Sequence, residues 1–371
     1  MREGSIRTRA ERALLDPLLP LAPVLDPILD PVTVRAGRAL LGWWKGPPMR
    51  VAQGRARERA LCEVAARHAP KVAALADGVR ARDAASIAGY DGIVAEAVSE
   101  LRGDGERRAA HEPLQRFAHA VDRLLYRDGH EWLDDPGFDA RLRVRTLDRL
   151  DCLNEAIGSY EAFFRVIAPL VDRARAAGVA RPVIVDLASG HAMFAVLLAL
   201  RLGAREGKVR VVASDLLPEY LAIGRAQARR LAMDDEAISF VTQDALDLRE
   251  LPAKVGAPVD VICCTQSLHH FSPGLVARML AEAAPVARHG AIFVDGERNP
   301  FALMLVAMAG GLVGRGSIPF MHDSIASMRR MYTEQELALI GMLAVSSEAR
   351  VGVRTSRGWL PPGHVWLSTA T

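Results

Sequence analysis

The stretch VIVDLASGHAMFA, Val183 to Ala195, is a β-branched apolar run that enters a turn and then a helix-forming segment. That layout aims backbone N–H groups and a helix N-terminus at a ligand. The residues it offers are Asp186 at the strand end and Ala188, Ser189 and Gly190 in the turn; Ala188 and Ala192 stand where a dinucleotide fingerprint would carry glycine. More groups capable of chemistry follow at the ends of later apolar runs. Asp215 and Leu216 lie in VRVVASDLLPEY, Asp244 and Ala245 in FVTQDALDL, and Thr265 and Gln266 in VDVICCTQSLHHF, which also carries the adjacent His269 and His270. An acid about 25 residues beyond such a turn can accept hydrogen bonds from both hydroxyls of a ribose. A histidine titrates in the range where a base is useful at neutral pH.

Pyrophosphate calls for glycines, because backbone N–H groups must approach the anion closely. A turn with one glycine flanked by alanines suits a nucleoside ligand without phosphate. S-adenosylmethionine meets that condition, and a charged Asp186 would favour its amine or sulfonium while repelling pyrophosphate.

These segments must be held by alternating strands and helices. Runs at Val183 to Asp186, Val209 to Asp215, Ile238 to Val241, Val259 to Cys264 and Ala291 to Asp295 alternate with amphipathic segments, which predicts a doubly wound, mostly parallel α/β sheet. The C-terminal AVSSEARVGVRTSRGWLPPGHVWLSTAT reads as two more strands, giving about seven. Ligands of such sheets bind at the C-terminal ends of the strands, where the acids and histidines stand.

In this series the chain resembles the class I S-adenosylmethionine-dependent methyltransferases, in the small-molecule branch with a Leu-His-His-Phe element after the fourth strand. The resemblance covers roughly residue 180 to the C-terminus. It rests on DLASGHA, SDLLPEYLAIGRAQ, QDALDL and VDVICCTQSLHHF in that order. It implies a Rossmann-like methyltransferase sheet with S-adenosyl-L-methionine as cofactor. Gly190 would lie against the methionine part beside Asp186, Ala188 and Ser189, Asp215 with Leu216 on the ribose, and Asp244 with the Ala245 N–H at the adenine. Thr265 or Gln266 would flank the sulfonium. His269 or His270 would act as base; adjacent histidines diverge, so one of them is expected to face the site. The implied activity is methyl transfer to a small, largely apolar acceptor, with O-methylation of an aromatic or polyketide-like metabolite as the first expectation.

On the acceptor side, LNEAIGSYEAFFRVIAPLVDRAR sets Leu153, Ile157, Tyr160, Phe164 and Ile167 on one helical stripe. The resemblance makes Asn154 and Tyr160 pocket candidates. An insertion at 299–332 follows the fifth strand; its apolar Phe301 to Val313 is expected to be buried or to cover an apolar site. The segment HDSIASMRRMYTEQEL contributes His322, Arg329 and Tyr332 as further candidates. Thr333 and Glu336 form a capping-box pattern that starts a helix just after Tyr332. Neither His269-His270 nor the Met321 to Asp323 triplet has chelating spacing, so no metal is expected.

The 371 residues divide into a Pro-rich arm at 1–54, a helical substrate or lid domain at 55–175 and the methyltransferase domain at 176–371. The helical part is expected to break at Pro70, Gly89, Gly103 to Gly105 and Pro136-Gly137. With 50% hydrophobic residues, 25% charged and a net charge of +3, the chain has core for two domains but no basic stripe for nucleic acid. Cys62, Cys152, Cys263 and Cys264 form no disulfide framework, consistent with a reducing cytoplasm. No apolar run is long enough to span a bilayer. Trp43 and Trp44 leave peripheral membrane contact open, and a homodimer stays open as well. Two rivals remain at this level: a non-catalytic binding or scaffold protein of the same fold, and an NAD-dependent dehydrogenase, which the glycine-poor turn and Asp186 oppose.

Overall fold

The computed structural model describes residues 48–135, 137–298, 303, 318–344, 353–357 and 364–369. Residues 1–47 of the Pro-rich arm, the Trp43-Trp44 pair among them, and all of the apolar stretch at 301–313 except Leu303 lie outside them.

Five parallel strands form where the apolar runs predict: β1 (Val183–Leu187), β2 (Arg210–Asp215), β3 (Ile238–Thr242), β4 (Val261–Thr265) and β5 (Ala291–Gly296). The C-terminal β6 (Val353–Arg357) and β7 (His364–Thr369) complete a seven-stranded sheet of order β3-β2-β1-β4-β5-β7-β6. Strand β7 is antiparallel to both β5 and β6. The order reverses between β1 and β4, so these two strands diverge into opposite crossovers and leave a crevice at their C-terminal ends.

Strand periodicity assigns the two faces. Ile184, Val211, Ala213, Val261 and Cys263 face one apolar core, while Val183, Val185, Leu187, Val212, Ile262 and Cys264 face the other. The two adjacent cysteines thus diverge, as a period of two requires.

Two long helices, α1 (Pro48–Arg80) and α2 (Ala84–Arg108), pack on the second face through Val64, Val72, Tyr90, Val94, Val98 and Leu101. Helix α1 begins at Pro48, so the boundary expected at 54/55 falls inside it. The expected breaks at Pro70, Gly89 and Gly103 to Gly105 are not breaks either; the chain leaves helical geometry at 81–83 instead, where Asp83 caps α2 by accepting from the Ser86 N–H. Gly105 has a packing reason to be glycine: a Cβ there would lie 2.8 Å from Arg57 Cγ and 3.3 Å from His119 Cε1.

Helices α3 (Pro113–Leu125), α4 (Ala140–Ile157) and α5 (Ser159–Ala176) follow. The stripe expected from Leu153 to Ile167 is split between two helices because Gly158 adopts φ 76°, ending α4. Phe163 then takes the fully buried place in α5 that the unbroken stripe gave to Phe164. The sheet crossovers are α6 (Met193–Leu202), α7 (Pro218–Arg230), α8 (Leu251–Val255) and α9 (Pro273–Val286). Helices α10 (Ile318–Arg330) and α11 (Glu334–Leu343) precede β6, and α11 starts with the expected Thr333–Glu336 capping box. Among the described residues no helix is long and apolar enough to cross a membrane.

Candidate active site

A cavity of about 590 Å³ opens at the C-terminal ends of β1, β2 and β4. Ala188, Ser189, Gly190, Asp215, Leu216, Asp244, Ala245, Thr265, Gln266, His269 and His270 all line it, as do Asn154 and Tyr160 from α4 and α5. Four residues expected at the site do not: Asp186, His322, Arg329 and Tyr332.

The first turn keeps an unusual backbone without its full set of glycines. Ala188, Gly190 and Ala192 adopt φ values of 49°, 55° and 60°. An L-residue in that region is strained by about 1 to 2 kcal/mol, so the two alanines reproduce at a cost a path that glycine takes freely. Ala192 fits because the helix behind it is bare there: a Cβ added to Gly224 in α7 would lie 2.7 Å from Ala192 Cβ and 3.0 Å from the His191 carbonyl oxygen. Nothing stands within 4 Å of where a Gly190 Cβ would be, so the space above that residue is open for a ligand. Gly224→Ala is expected to destabilise the fold by about 1 to 3 kcal/mol through overpacking, whereas Ala188→Gly should raise the melting temperature. Thermal denaturation of the two variants measures both signs.

Asp215 ties the turn to β2. Its Oδ2 accepts the Gly190 N–H at 2.8 Å and its Oδ1 accepts the Leu217 N–H at 2.9 Å. Asp244 is anchored by the Leu246 N–H at 2.8 Å. Asp186 behaves differently. Its side chain is fully buried under the turn, with the Cys263 thiol 3.6 Å from Oδ1. Burial, with the Asp215 charge adding to it, pushes its carboxyl up to about 8. At neutral pH it is mostly a neutral acid off the cavity wall rather than a facing negative charge; being the last inward residues of a central strand, Asp186 and Leu187 are both enclosed by the sheet.

The end of β4 carries the other chemical group. Residues Leu268–His270 form one 3-10 turn, and both histidine rings line the cavity, 4.4 Å apart between centroids. The expected divergence of adjacent histidines does not occur, because a 3-10 turn rotates successive side chains by about 120° rather than 180°. His269 Nδ1 lies 2.8 Å from Asp295 Oδ2, and the same oxygen accepts the His269 backbone N–H at 3.0 Å. An ionised Asp295 accepts the Nδ1–H, which leaves Nε2 of a neutral His269 as the free acceptor. Burial alone would depress the His269 pKa, but the Asp295 charge and hydrogen bond, helped by Glu131, outweigh it and raise the value. Asp295 is lowered in turn: burial opposes its ionisation and His269 overcomes that.

Glu131 is a buried acid of the cavity wall that sequence reading did not name. It lies 3.6 Å from His269 Nε2 and 3.8 Å from His270 Nε2. Ser327 Oγ donates to its Oε1 at 2.7 Å, and Arg330 pairs with the same oxygen. No local pattern marks it; it precedes the histidines by more than a hundred residues and its neighbours form only a short 3-10 turn, Trp132–Asp134.

Helix α10 does reach the cavity, but on a different face from the one expected. Ser324, Ser327 and Met328, with Met331 just beyond the helix, line it and repeat at helical spacing. His322 and Arg329, one heptad apart, lie on the other side. His322 stacks on Trp132 at 4.2 Å and Arg329 is half-buried beside the Leu124 carbonyl. Tyr332 is buried, its hydroxyl donating to the Phe271 carbonyl at 2.6 Å. On the opposite wall, Asn154 and Gln266 exchange two amide hydrogen bonds of 2.7 Å. Asp151 holds both the Tyr160 hydroxyl and His191 Nε2, the latter at 2.8 Å, and so joins α4 to the turn after β1.

The fold and the cleft define a doubly wound α/β protein with a cavity at its topological switch point. Residues 184–290 match a family described as a methyltransferase domain. No curated protein matches the chain. Among solved structures, the plantazolicin methyltransferase BpumL in complex with SAH aligns over 75% of this chain and 100% of its own at 11% identity and a TM-score of 0.47. Magnesium protoporphyrin IX methyltransferase (ChlM) from Synechocystis PCC 6803 aligns over 68% and 93% at 14% identity and 0.35. A SAM-dependent methyltransferase from Aquifex aeolicus aligns over 54% and 88% at 14% identity and 0.34.

Proposed function

We propose that this protein transfers a methyl group from S-adenosylmethionine to a hydroxyl oxygen of a small, largely apolar acceptor. The observation that carries the reading is the presence in one cavity of a ribose-type acid, Asp215 at the end of β2, and a carboxylate-oriented histidine, His269 just after β4. The cavity residues fit the cofactor. Open space above Gly190 accommodates the methionine part, Asp215 takes the ribose hydroxyls, Asp244 takes the adenine amino group beside Ala245, and Thr265 and Gln266 border the sulfonium. When bound, the cofactor supplies a methyl group on a cationic sulfur that leaves as a neutral thioether.

The protein's own tasks are then to orient the acceptor, exclude water and take a proton. His269 Nε2 accepts the hydroxyl proton while Asp295 stabilises the imidazolium that results. Leu133, Leu147, Leu150, Met328 and Met331 give the acceptor end its apolar wall, which selects a flat or branched hydrophobic molecule over a sugar or nucleotide. Most of these come from the helices before β1 and from α10 and its end, so the helical region builds the acceptor pocket and the sheet carries the cofactor. The Leu-His-His-Phe element fits this small-molecule reading because it sets both rings toward that pocket.

Asp215→Ala is expected to weaken S-adenosylhomocysteine binding by about 1.5 to 3 kcal/mol, through loss of the charged ribose partner. Calorimetric titration of the purified variant, with its melting temperature as control, reads this directly. Unchanged affinity in a folded variant would remove Asp215 from the site.

A further inference from the structure

We propose that Glu131, His269 and His270 form a binding site for a divalent transition-metal ion at the acceptor end of the cavity; the role given to the metal rests on the functional reading above, while its binding does not. One ligand atom from each residue falls within a group whose members all lie within 4.8 Å of one another. The two closest approaches, 3.6 Å from His269 Nε2 to Glu131 Oε1 and 3.8 Å from His270 Nε2 to Glu131 Oε2, nearly match the separation of ligands around one ion. With metal–ligand bonds of about 2.0 to 2.2 Å, tetrahedral or octahedral ligands stand about 3 to 3.6 Å apart, so a group spread over as much as 4.8 Å closes on one ion by side-chain rotations that move its ligand atoms by about 1 Å.

The surroundings are those of a ligand set. Each imidazole turns Nε2 toward Glu131 while Nδ1 faces another carboxylate: Asp295 Oδ2 at 2.8 Å for His269 and Asp134 Oδ2 at 3.4 Å for His270. Carboxylates behind the distal nitrogens fix ring orientation and raise the basicity of the ligating atoms. Ser327 and Arg330 hold the Glu131 carboxylate in place through Oε1, the oxygen nearer His269 Nε2, while Oε2 lies toward His270 Nε2. Arg330 Nη2 lies 3.3 Å from His270 Nδ1, but with the Nε2 lone pair given to an ion that nitrogen carries the proton, so its partner in the ligated state is Asp134 and not Arg330. Two nitrogens and one carboxylate oxygen suit zinc, cobalt, iron or nickel rather than magnesium or calcium. All three residues face the cavity, so the remaining coordination positions open toward the acceptor, as in catalytic rather than structural metal sites.

The ion would supply Lewis-acid activation of an acceptor oxygen, easing loss of its proton, and the three residues would hold it; in the ion-free protein that proton passes to His269 Nε2 as described above. The acceptor class is thereby narrowed to molecules with an oxygen that can reach the ion, such as phenols and enols.

The test is titration of the full-length, chelator-treated protein with Co²⁺, followed by its visible absorption, with no acceptor present. Saturable bands at one equivalent, displaced by Zn²⁺, lost in His270→Ala and weakened at least about tenfold in Glu131→Gln support the site. Absence of saturable bands in the unaltered protein, or bands that persist in both variants, overturns it. His270 is partly exposed, so His270→Ala decides the matter if the buried Glu131→Gln variant fails to fold. S-adenosylhomocysteine titration of the same samples separates this outcome from failure of the methyltransferase reading, since the cofactor contacts do not involve these three residues.

Discussion

His269→Gln is expected to lower methyl transfer by about 10²- to 10⁴-fold, the range for loss of a positioned acid–base group, while leaving S-adenosylhomocysteine affinity within about twofold, since the cofactor contacts lie on other residues. The variant keeps a side chain of similar reach that can still satisfy Asp295, so the loss reports chemistry rather than collapse. Its pH dependence carries the sign of the local electrostatics. His269 must be deprotonated at Nε2 to act, and Asp295 and Glu131 raise its pKa against burial. Turnover should therefore rise with pH through a limb above the ordinary histidine value of about 6.5. Asp295→Asn removes the opposing charge, so the limb should move to lower pH as the maximal rate falls. Initial rates between pH 5 and 9, at saturating cofactor, measure both. A His269→Gln variant with normal turnover would assign the acceleration to positioning alone.

Glu336→Gln is expected to destabilise the protein by about 3 to 5 kcal/mol, the cost of breaking a buried charge network by removing one partner. Glu336 is fully buried and bonded to Arg298 at 2.6 Å and Arg102 at 2.8 Å, with Arg57 at 3.3 Å. Arg57 and Arg298 also share Asp122, each at 2.7 Å. Burial opposes ionisation of both acids, yet the arginines hold both carboxyls well below their ordinary values. A depressed folded-state pKa stabilises fully above the unfolded value, about 4, and is lost as pH falls toward the folded one. Acid should thus unfold the native protein through this joint, and Glu336→Gln should flatten that part of the stability profile. Denaturant titrations at pH 7 and at about pH 2 supply the comparison, since the loss falls between the unfolded and the depressed folded values. The joint matters for the site because Arg298 follows Glu297, which lines the cavity, and because it binds α1, α2, α3 and α11 around that loop.

The sheet was legible because its signals are local. β-Branched runs mark β1 to β5, and the acids that end β2 and follow β3 stand where a parallel sheet opens its crevice, so Asp215 and Asp244 could be placed on the cavity wall from the strand pattern. The alanines at 188 and 192 looked like departures from a glycine turn; the structure shows the same left-handed backbone, made tolerable for Ala192 by Gly224 in a different helix. That compensation spans 32 positions and leaves no local trace. Glu131 was invisible for the same reason, as were the pairing of His269 with Asp295 and the joint around Glu336. On α10 the segment was found but its face was not, because polar residues occur on both sides and only packing decides between Ser327 and His322. Asp186 reads from the sequence as a charge beside the cofactor's amine or sulfonium; enclosure by the sheet makes it mostly neutral at neutral pH instead.

The central claim is that the crevice between β1 and β4 holds S-adenosylmethionine as methyl donor. Calorimetric titration of the unaltered protein with S-adenosylhomocysteine and, separately, with NAD⁺ tests it most directly. The account predicts saturable binding of S-adenosylhomocysteine at one site per chain and no measurable heat from NAD⁺. Binding of NAD⁺ with none of S-adenosylhomocysteine would contradict it.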